Sequence, residues 1–393
     1  MVNVPKGVCS FVVGQPSDAL IPHRLLDTVF ARTISNHGDP FIYQYPTFQG
    51  PLTFRQDLAE YLFRTGRYPL LTLENLCITF GNSSALSFAI SSLTRSGDTV
   101  IVEDPTYFLI GNIVRDAGLQ VQHCRVDEND GLDMDDFEAL VKSTKPSLVY
   151  VNPVHHNPTG SCLSVAKRER LIRLSIEQGF LIFSDEPYVL LSFRPDVIEE
   201  ETSLATTASR IGGPAYQRLV CFGSFSKILS PGLRCGWISG HPAIVSRIAA
   251  HGSLVSGGGP ASLISETIRQ IITTGELEEH ISFLRVELRK RASAMCESLR
   301  DHFGPTASFL IPSGGYFVFL KLVVCNDSDS FQAYLEATGV RVKILPSSVC
   351  SANPEGSTKR TCVRLAFSFY TPDEIKQGIA TLAAAYTSFS QLG

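Results

Sequence analysis

Four short polar segments carry residue types that could do covalent chemistry together. They are Gly81-Asn-Ser-Ser84, Asn157-Pro-Thr-Gly160, Asp185-Glu-Pro-Tyr188 and Ser224-Phe-Ser-Lys227, with Arg234 seven residues past the lysine. Each stands at or after a run rich in strand-forming residues: Leu76–Phe80, Leu148–Val151, Leu181–Phe183 and Leu219–Phe222. A lysine can hold an aldehyde as a Schiff base, and burial beside other cations keeps part of it neutral. A carboxylate against a pyridine nitrogen keeps that nitrogen protonated, which makes the ring an electron sink. Backbone amides at a helix start, hydroxyls and an arginine suit a phosphate. An Asn amide and a Tyr hydroxyl can donate to a ring oxygen, and an aromatic side chain can stack on the ring face. The set matches what pyridoxal 5'-phosphate requires. Singly, each segment reads more simply. Asn-Pro-Thr-Gly is a common turn, Asp-Glu-Pro can end a strand, Ser-x-Ser-Lys occurs by chance, and Asn82, Ser83 and Ser84 can cap a helix. Their order, each after a strand, makes coincidence a poor account.

The elements that must position these groups alternate between two periods. Strand-like runs are Thr99–Val102, Gln120–Arg125, Leu148–Val151, Leu181–Phe183, Leu219–Phe222 and Cys235–Ile238. Between them, a helix from Ser83 shows Leu86, Ile90 and Leu93 on one face and stops near Gly97; another runs from Lys167 to Gln178 with Leu171, Ile172 and Ile176. The alternation predicts an α/β fold with a largely parallel sheet wrapped by helices, in which ligands bind beyond the carboxyl ends of the strands. Further on, Leu277, Ile281, Leu284, Leu288, Met295 and Leu299 keep helical spacing over several turns. Gly314-Gly315 and the strand-like Tyr316–Leu320 and Val363–Phe367 follow, which predicts a smaller α+β unit. The expected division is 1–44 as an N-terminal segment joining the small domain, 45–270 as the large cofactor-binding domain, and 271–393 as the small domain. Ser347–Thr361, rich in Ser, Asn, Pro and Gly, reads as a surface loop, and Ser256-Gly-Gly-Gly-Pro260 as a hinge or dimer-contact loop.

Composition bounds the rest. The chain has 393 residues, 44% hydrophobic and 18% charged, with a formal net charge of −4 and no basic run. That balance argues for an ordinary globular protein and against nucleic acid or an acidic membrane surface as a partner. Its apolar runs are strand-length and interrupted, so no membrane span is expected, and the start shows no signal-peptide pattern. Ten cysteines stand singly without metal-site spacing, so buried thiols in a reducing cytoplasm, with no metal and no disulfide framework, are the expectation.

Over nearly its whole length the sequence resembles the class I/II aminotransferases, pyridoxal-phosphate enzymes of fold type I, and most of all the aminoadipate, kynurenine and aromatic aminotransferases. The landmarks, in order, are Gly14-Gln-Pro-Ser17, Tyr45-Pro-Thr-Phe-Gln-Gly50, Gly81-Asn-Ser-Ser-Ala-Leu86, Glu103-Asp-Pro-Thr-Tyr107, Asn157-Pro-Thr-Gly160, Asp185-Glu-Pro-Tyr188, Ser224-Phe-Ser-Lys227 with Pro231-Gly-Leu-Arg234, Gly314-Gly315 and Val363-Arg-Leu365. The resemblance implies that Lys227 binds the cofactor and then moves the α-proton. It implies that Asp185 pairs with the ring nitrogen, that Asn157 and Tyr188 hold the ring oxygen, and that Tyr107 stacks on the ring. Asn82, Ser83, Ser224, Ser226 and Arg234 would surround the phosphate, with Tyr45 reaching in from a second subunit of a homodimer. Arg364 would clamp the substrate α-carboxylate, which Gly14 would let the backbone approach closely.

Two departures bear on specificity. The helix start reads Gly81-Asn-Ser-Ser84 where the family usually has Gly-Ser-Gln-Gln or similar, and thirteen residues precede Gly14 where the nearest relatives carry an extra helix over the substrate. Substrate class is therefore not carried over, and a more open site is expected. His155 and His156 lie near the expected substrate and read as loop fillers more readily than as catalysts. The expected activity is transfer of an amino group between an L-amino acid and a 2-oxo acid. A rival keeps the cofactor but ends in elimination, replacement, decarboxylation or cyclisation. A ligand-sensing regulator on the same fold is a third, more distant reading.

Overall fold

The computed structural model describes residues 6–35, 40–127, 129–257, 259–323, 327–351 and 361–392. Strands form where β-branched and aromatic residues cluster. In chain order they are β1 (Cys9–Ser10), β2 (Leu76–Thr79), β3 (Thr99–Asp104), β4 (Gln120–Asp127), β5 (Gly131–Leu132), β6 (Leu148–Val151) and β7 (Leu181–Asp185). The series continues with β8 (Leu219–Ser224), β9 (Gly236–Gly240), β10 (Ala307–Ser308), β11 (Phe317–Leu322), β12 (Val342–Lys343), β13 (Leu345–Pro346) and β14 (Cys362–Ala366).

Eight of these strands make one sheet in the order β2-β9-β8-β7-β6-β3-β4-β5. The pairs from β4 through β3, β6 and β7 to β8 are parallel, while β9 runs antiparallel between β8 and β2. Helices such as Asn82–Leu93 and Val165–Gln178 cover the two faces. Burial on both sides explains why the strands read as continuous apolar runs. The period of two then sorts their residues. Val100, Val102, Leu148, Tyr150, Phe183, Val220 and Phe222 enter one core, and Ile101, Val149, Val151, Ile182, Leu219 and Cys221 the other.

A second sheet, β10-β11-β14-β13, is antiparallel, and the short β1 pairs with β12. The helix Glu276–Phe303 lies beneath a third core. All six residues of its apolar stripe, Leu277 to Leu299, are buried, as the spacing predicts for a core-facing helix.

Three local expectations are corrected. The helix from Asn82 ends at Leu93 rather than near Gly97, because Thr94 already turns to extended backbone at φ −121°. The strand placed at Cys235 begins at Gly236. Ser347 to Ser351 is not an open loop: Ser347 and Cys350 are fully buried, and the Cys350 carbonyl accepts from the Thr106 amide at 2.7 Å. The rest of that segment, 352–360, lies outside the described residues, as does Gly258 of the 256–260 run. The nine described cysteines are all free. Among the described residues no helix is long and apolar enough to cross a membrane.

Candidate active site

The parallel strands deliver polar groups to one edge. Asp185 ends β7 and Ser224 ends β8, with Asp185 in register with Phe222; Asn152 directly follows β6, and Asn157 comes five residues later. Helix Asn82–Leu93 starts at the same edge, and its first amides point outward for want of helical acceptors. Gly81 makes that start possible. Its φ is +91°, and an added Cβ would sit 3.0 Å from Arg234 Nη2.

These groups line a cavity of about 410 Å³. Lys227, Asp185, Tyr188, Tyr107, Asn82, Ser83, Asn157, Ser224, Ser226, Arg234, Gly14 and Arg364 all border it. Tyr45 does not: in the single chain it is 83% exposed, beside Gly257.

Lys227 Nζ donates to the Gly14 carbonyl at 2.9 Å, and its ammonium lies 5.5 Å from the Tyr316 ring centroid. Burial, with Arg364 nearby, pulls its pKa down to about 8, and Asp185 opposes the shift only in part. Asp185 accepts from Asn82 Nδ2 at 2.6 Å and from the Tyr150 hydroxyl at 2.7 Å. Burial nonetheless raises it to about 6, because those two hydrogen bonds only partly offset desolvation of the charge. A cationic N–H at this carboxylate would reverse that penalty.

Arg364, on β14, is buried. Its Nη1 donates to Asn157 Oδ1 at 2.9 Å and its Nη2 to the Val12 carbonyl at 2.8 Å, and its guanidinium lies 4.4 Å from the Phe317 ring centroid. Gly14 is pressed into the same corner, where a Cβ would meet the Phe317 ring at 3.1 Å. Arg234 donates to the Phe80 carbonyl at 3.1 Å and to Ser226 Oγ at 3.4 Å, and the Ser226 amide donates to Ser224 Oγ at 3.1 Å.

Several contributors were not singled out from the sequence. Asn152 Nδ2 donates to the Asp185 carbonyl at 2.5 Å, its Oδ1 accepts from the Asn157 amide at 2.9 Å, and its own amide donates to Glu103 Oε2 at 2.7 Å. A polar residue directly after a strand was the available signal. Tyr150 had none, since its hydroxyl-bearing ring is indistinguishable from the apolar pattern of β6. The two histidines do not face the cavity. His156 Nε2 lies 3.2 Å from Glu103 Oε2, and the buried His155 ring packs under Gly314. His155 also approaches Cys162 and Glu201, the nearest thing to a metal-ligand set among the described residues. Glu201 is already engaged by Arg194 at 3.1 Å and by the Ser192 hydroxyl, with Arg67 at 3.9 Å, so guanidinium charge fills the place a cation would need.

The family model for class I and II aminotransferases matches residues 20–382. The chain belongs to that family. It is similar to the 2-aminoadipate transaminase of Thermus thermophilus, with 27% identity over 96% of this chain and 90% of that one. It is also similar to an uncharacterised HTH-type transcriptional regulator of Bacillus subtilis, at 26% identity over 94% of this chain and 72% of that one. Among solved structures, the α-aminoadipate aminotransferase of Thermus thermophilus, complexed with N-(5'-phosphopyridoxyl)-L-leucine, superposes with a TM-score of 0.86. Its identity is 25%, over 99% of this chain and 95% of that one. The fold is therefore fold type I, and the protein is an aminotransferase that uses pyridoxal phosphate. The residues present fit that group. Buried Asn82 Oδ1 and Arg364 Nε have no hydrogen-bond partner among the described residues, and a partly neutral lysine, a carboxylate and an arginine beside a helix start converge on one cavity.

Proposed function

We propose that this aminotransferase works through Lys227, with the amino group passing between an L-amino acid and a 2-oxo acid in the 410 Å³ cavity. The observation that carries the reading is the placement of Lys227, lowered to about pKa 8, in one cavity with the buried Asp185 and with Arg364. Bound pyridoxal phosphate supplies the aldehyde that takes up the amino group and the ring that accepts electron density from Cα. Asp185 keeps a proton on the ring nitrogen. Asn157 and Tyr188 hold the ring oxygen, and Tyr107 covers the ring face. Asn82, Ser83, Ser224, Ser226 and Arg234 hold the phosphate, and hydrogen bonds from Arg234 to Ser226 and the Phe80 carbonyl fix its guanidinium.

Arg364 binds the substrate α-carboxylate, and its tie to Asn157 and the Val12 carbonyl sets its plane. Fixing the carboxylate leaves the Cα–H bond as the one presented to Lys227. The lysine, largely neutral above about pH 8 before it is engaged, then acts as the base at Cα.

The site is completed by a second copy. Tyr43, Tyr45, Phe48 and Leu52 are more than half exposed; within this stretch Tyr45 lies against Gly257 and Pro46 against Gly259, in the run read as a hinge or dimer-contact loop. An apolar strip of this kind supports a homodimer in which Tyr45 serves the partner's site. A cytoplasmic location is part of the same reading.

The test is a single turnover without acceptor. The purified, cofactor-loaded protein, mixed with a panel of L-amino acids, should release one 2-oxo acid per site and then stop until a 2-oxo acid is added. Ammonia or carbon dioxide released continuously, without that arrest, would instead favour elimination or decarboxylation.

A further inference from the structure

Tyr316 stands one residue ahead of β11, yet its side chain ends at the lysine that follows β8. Its hydroxyl donates to the backbone carbonyl of Lys227 at 3.0 Å. Its ring faces the ammonium of the same residue, with Nζ 5.5 Å from the centroid. Tyr316 does not border the cavity, so whatever it does there it does through Lys227.

The ring is held from several sides. Tyr316 is fully buried and packs on Tyr188 with centroids 5.3 Å apart. The Gly315 amide donates to the Leu191 carbonyl at 3.2 Å, and the Tyr316 carbonyl accepts from the Phe367 amide at 2.9 Å. Burial pushes the phenol pKa up against the opposing charge of Arg291, so the hydroxyl keeps its proton and stays a donor.

A tyrosine placed this way offers two separate effects. The hydroxyl fixes the peptide from which a long, flexible side chain springs, and a reacting group misplaced by about 1 Å can lose about a hundredfold in rate. The ring face attracts a cation. It therefore favours the protonated lysine, the form produced when the amine takes up a proton. Three charged groups also act on that lysine: Arg364 on β14 and Arg234 beyond the lysine disfavour the ammonium, and Asp185 at the end of β7 favours it.

We propose, resting on the function above, that Tyr316 is a positioning residue for Lys227. Its hydroxyl pins the peptide of the lysine, and its ring receives the ammonium that forms when the lysine accepts a proton.

The lysine can be read without turnover. Full-length protein is stripped of cofactor, and its capture of added pyridoxal phosphate is followed by absorbance from about pH 6 to 10. Only the neutral amine attacks the aldehyde, forming a C=N bond and releasing water, so the rate rises through the lysine's pKa to a plateau. Borohydride reduction and peptide mapping then locate the captured group. Tyr316→Phe keeps the ring and loses the hydroxyl, and its plateau should fall about tenfold with the midpoint unmoved. Tyr316→Met fills similar space without a π face, and its midpoint should in addition fall by about half a pH unit. Loss of packing alone would slow both variants and leave both midpoints in place.

Melting curves report the fold of each variant, and Tyr316→Phe, which removes a single heavy atom, decides alone if Tyr316→Met does not fold. A wild-type plateau in Tyr316→Phe, or a wild-type midpoint in Tyr316→Met, would overturn the proposal. Capture elsewhere than Lys227 would remove the transaminase reading with it. Capture at Lys227 that neither variant alters would remove this proposal alone.

Discussion

At Lys227, burial and the Arg364 charge outweigh the attraction of Asp185, and the balance leaves an amine that can be neutral near physiological pH. Lys227→Ala should lower turnover by at least about a thousandfold, as expected when the covalent anchor and the base are removed together. The protein should still bind the cofactor through its phosphate, as dialysis binding would show. Asp185 gives a prediction with a definite sign. Its carboxyl sits at about 6 in the folded chain, against about 3.9 when unfolded. The folded state therefore holds extra protons between about pH 4 and 6, and the cost of the buried charge is fully present above pH 6. Without cofactor, Asp185→Asn should melt higher than wild type at pH 7, and the gap should close as pH falls towards 4. With cofactor bound the order should reverse, because the carboxylate then has a cation to pair with. Most polar members of the site were legible as residues because each stands after a strand. Phe108, Phe317 and Val12 were not, since an apolar residue gives no sign of whether it lines a cavity or a core.

Among the elements, the strand ends matter most, and the sequence placed most of them within two residues. The period of two and the apolar runs are strong signals in a sheet buried on both faces. Sheet order is a different matter: nothing local in Cys235–Ile238 says that β9 runs antiparallel between β8 and β2. The junction at Gly314-Gly315 was read as a landmark, and its physical reason is His155. A Cβ on Gly314 would fall 2.3 Å from His155 Nε2, inside a ring that is fully buried. Gly314→Ala should therefore destabilise the protein by about 1–3 kcal/mol, the usual range for overpacking, as measured by urea unfolding. His155→Ala in the same background should recover part of that loss. In the long helix Glu276–Phe303, Leu288 is fully buried, and Leu288→Ala should cost about 2–5 kcal/mol for lost burial and the cavity left behind.

For the molecule as a whole, the chain's own residues assemble a site that lacks one expected member. Tyr45 does not line its own cavity and is 83% exposed, close in sequence to other exposed aromatic and aliphatic side chains. Sedimentation should accordingly give a particle of twice the 43.0 kDa chain mass. Tyr45→Phe should weaken cofactor retention without shifting the monomer–dimer balance, because the variant removes a hydroxyl and leaves the apolar contact. Fold class was legible because strand–helix alternation and site order point the same way. Assembly was not, since an exposed Tyr and a buried one are the same letter.

The most direct test of the central claim is the oxo-acid burst. Cofactor-loaded wild type and Lys227→Ala are each mixed with L-amino acids in the absence of acceptor, and 2-oxo acid is quantified per active site. One equivalent from the wild type and none from the variant is the predicted result. An undiminished burst from Lys227→Ala, or none from a wild type that retains its cofactor, would contradict it.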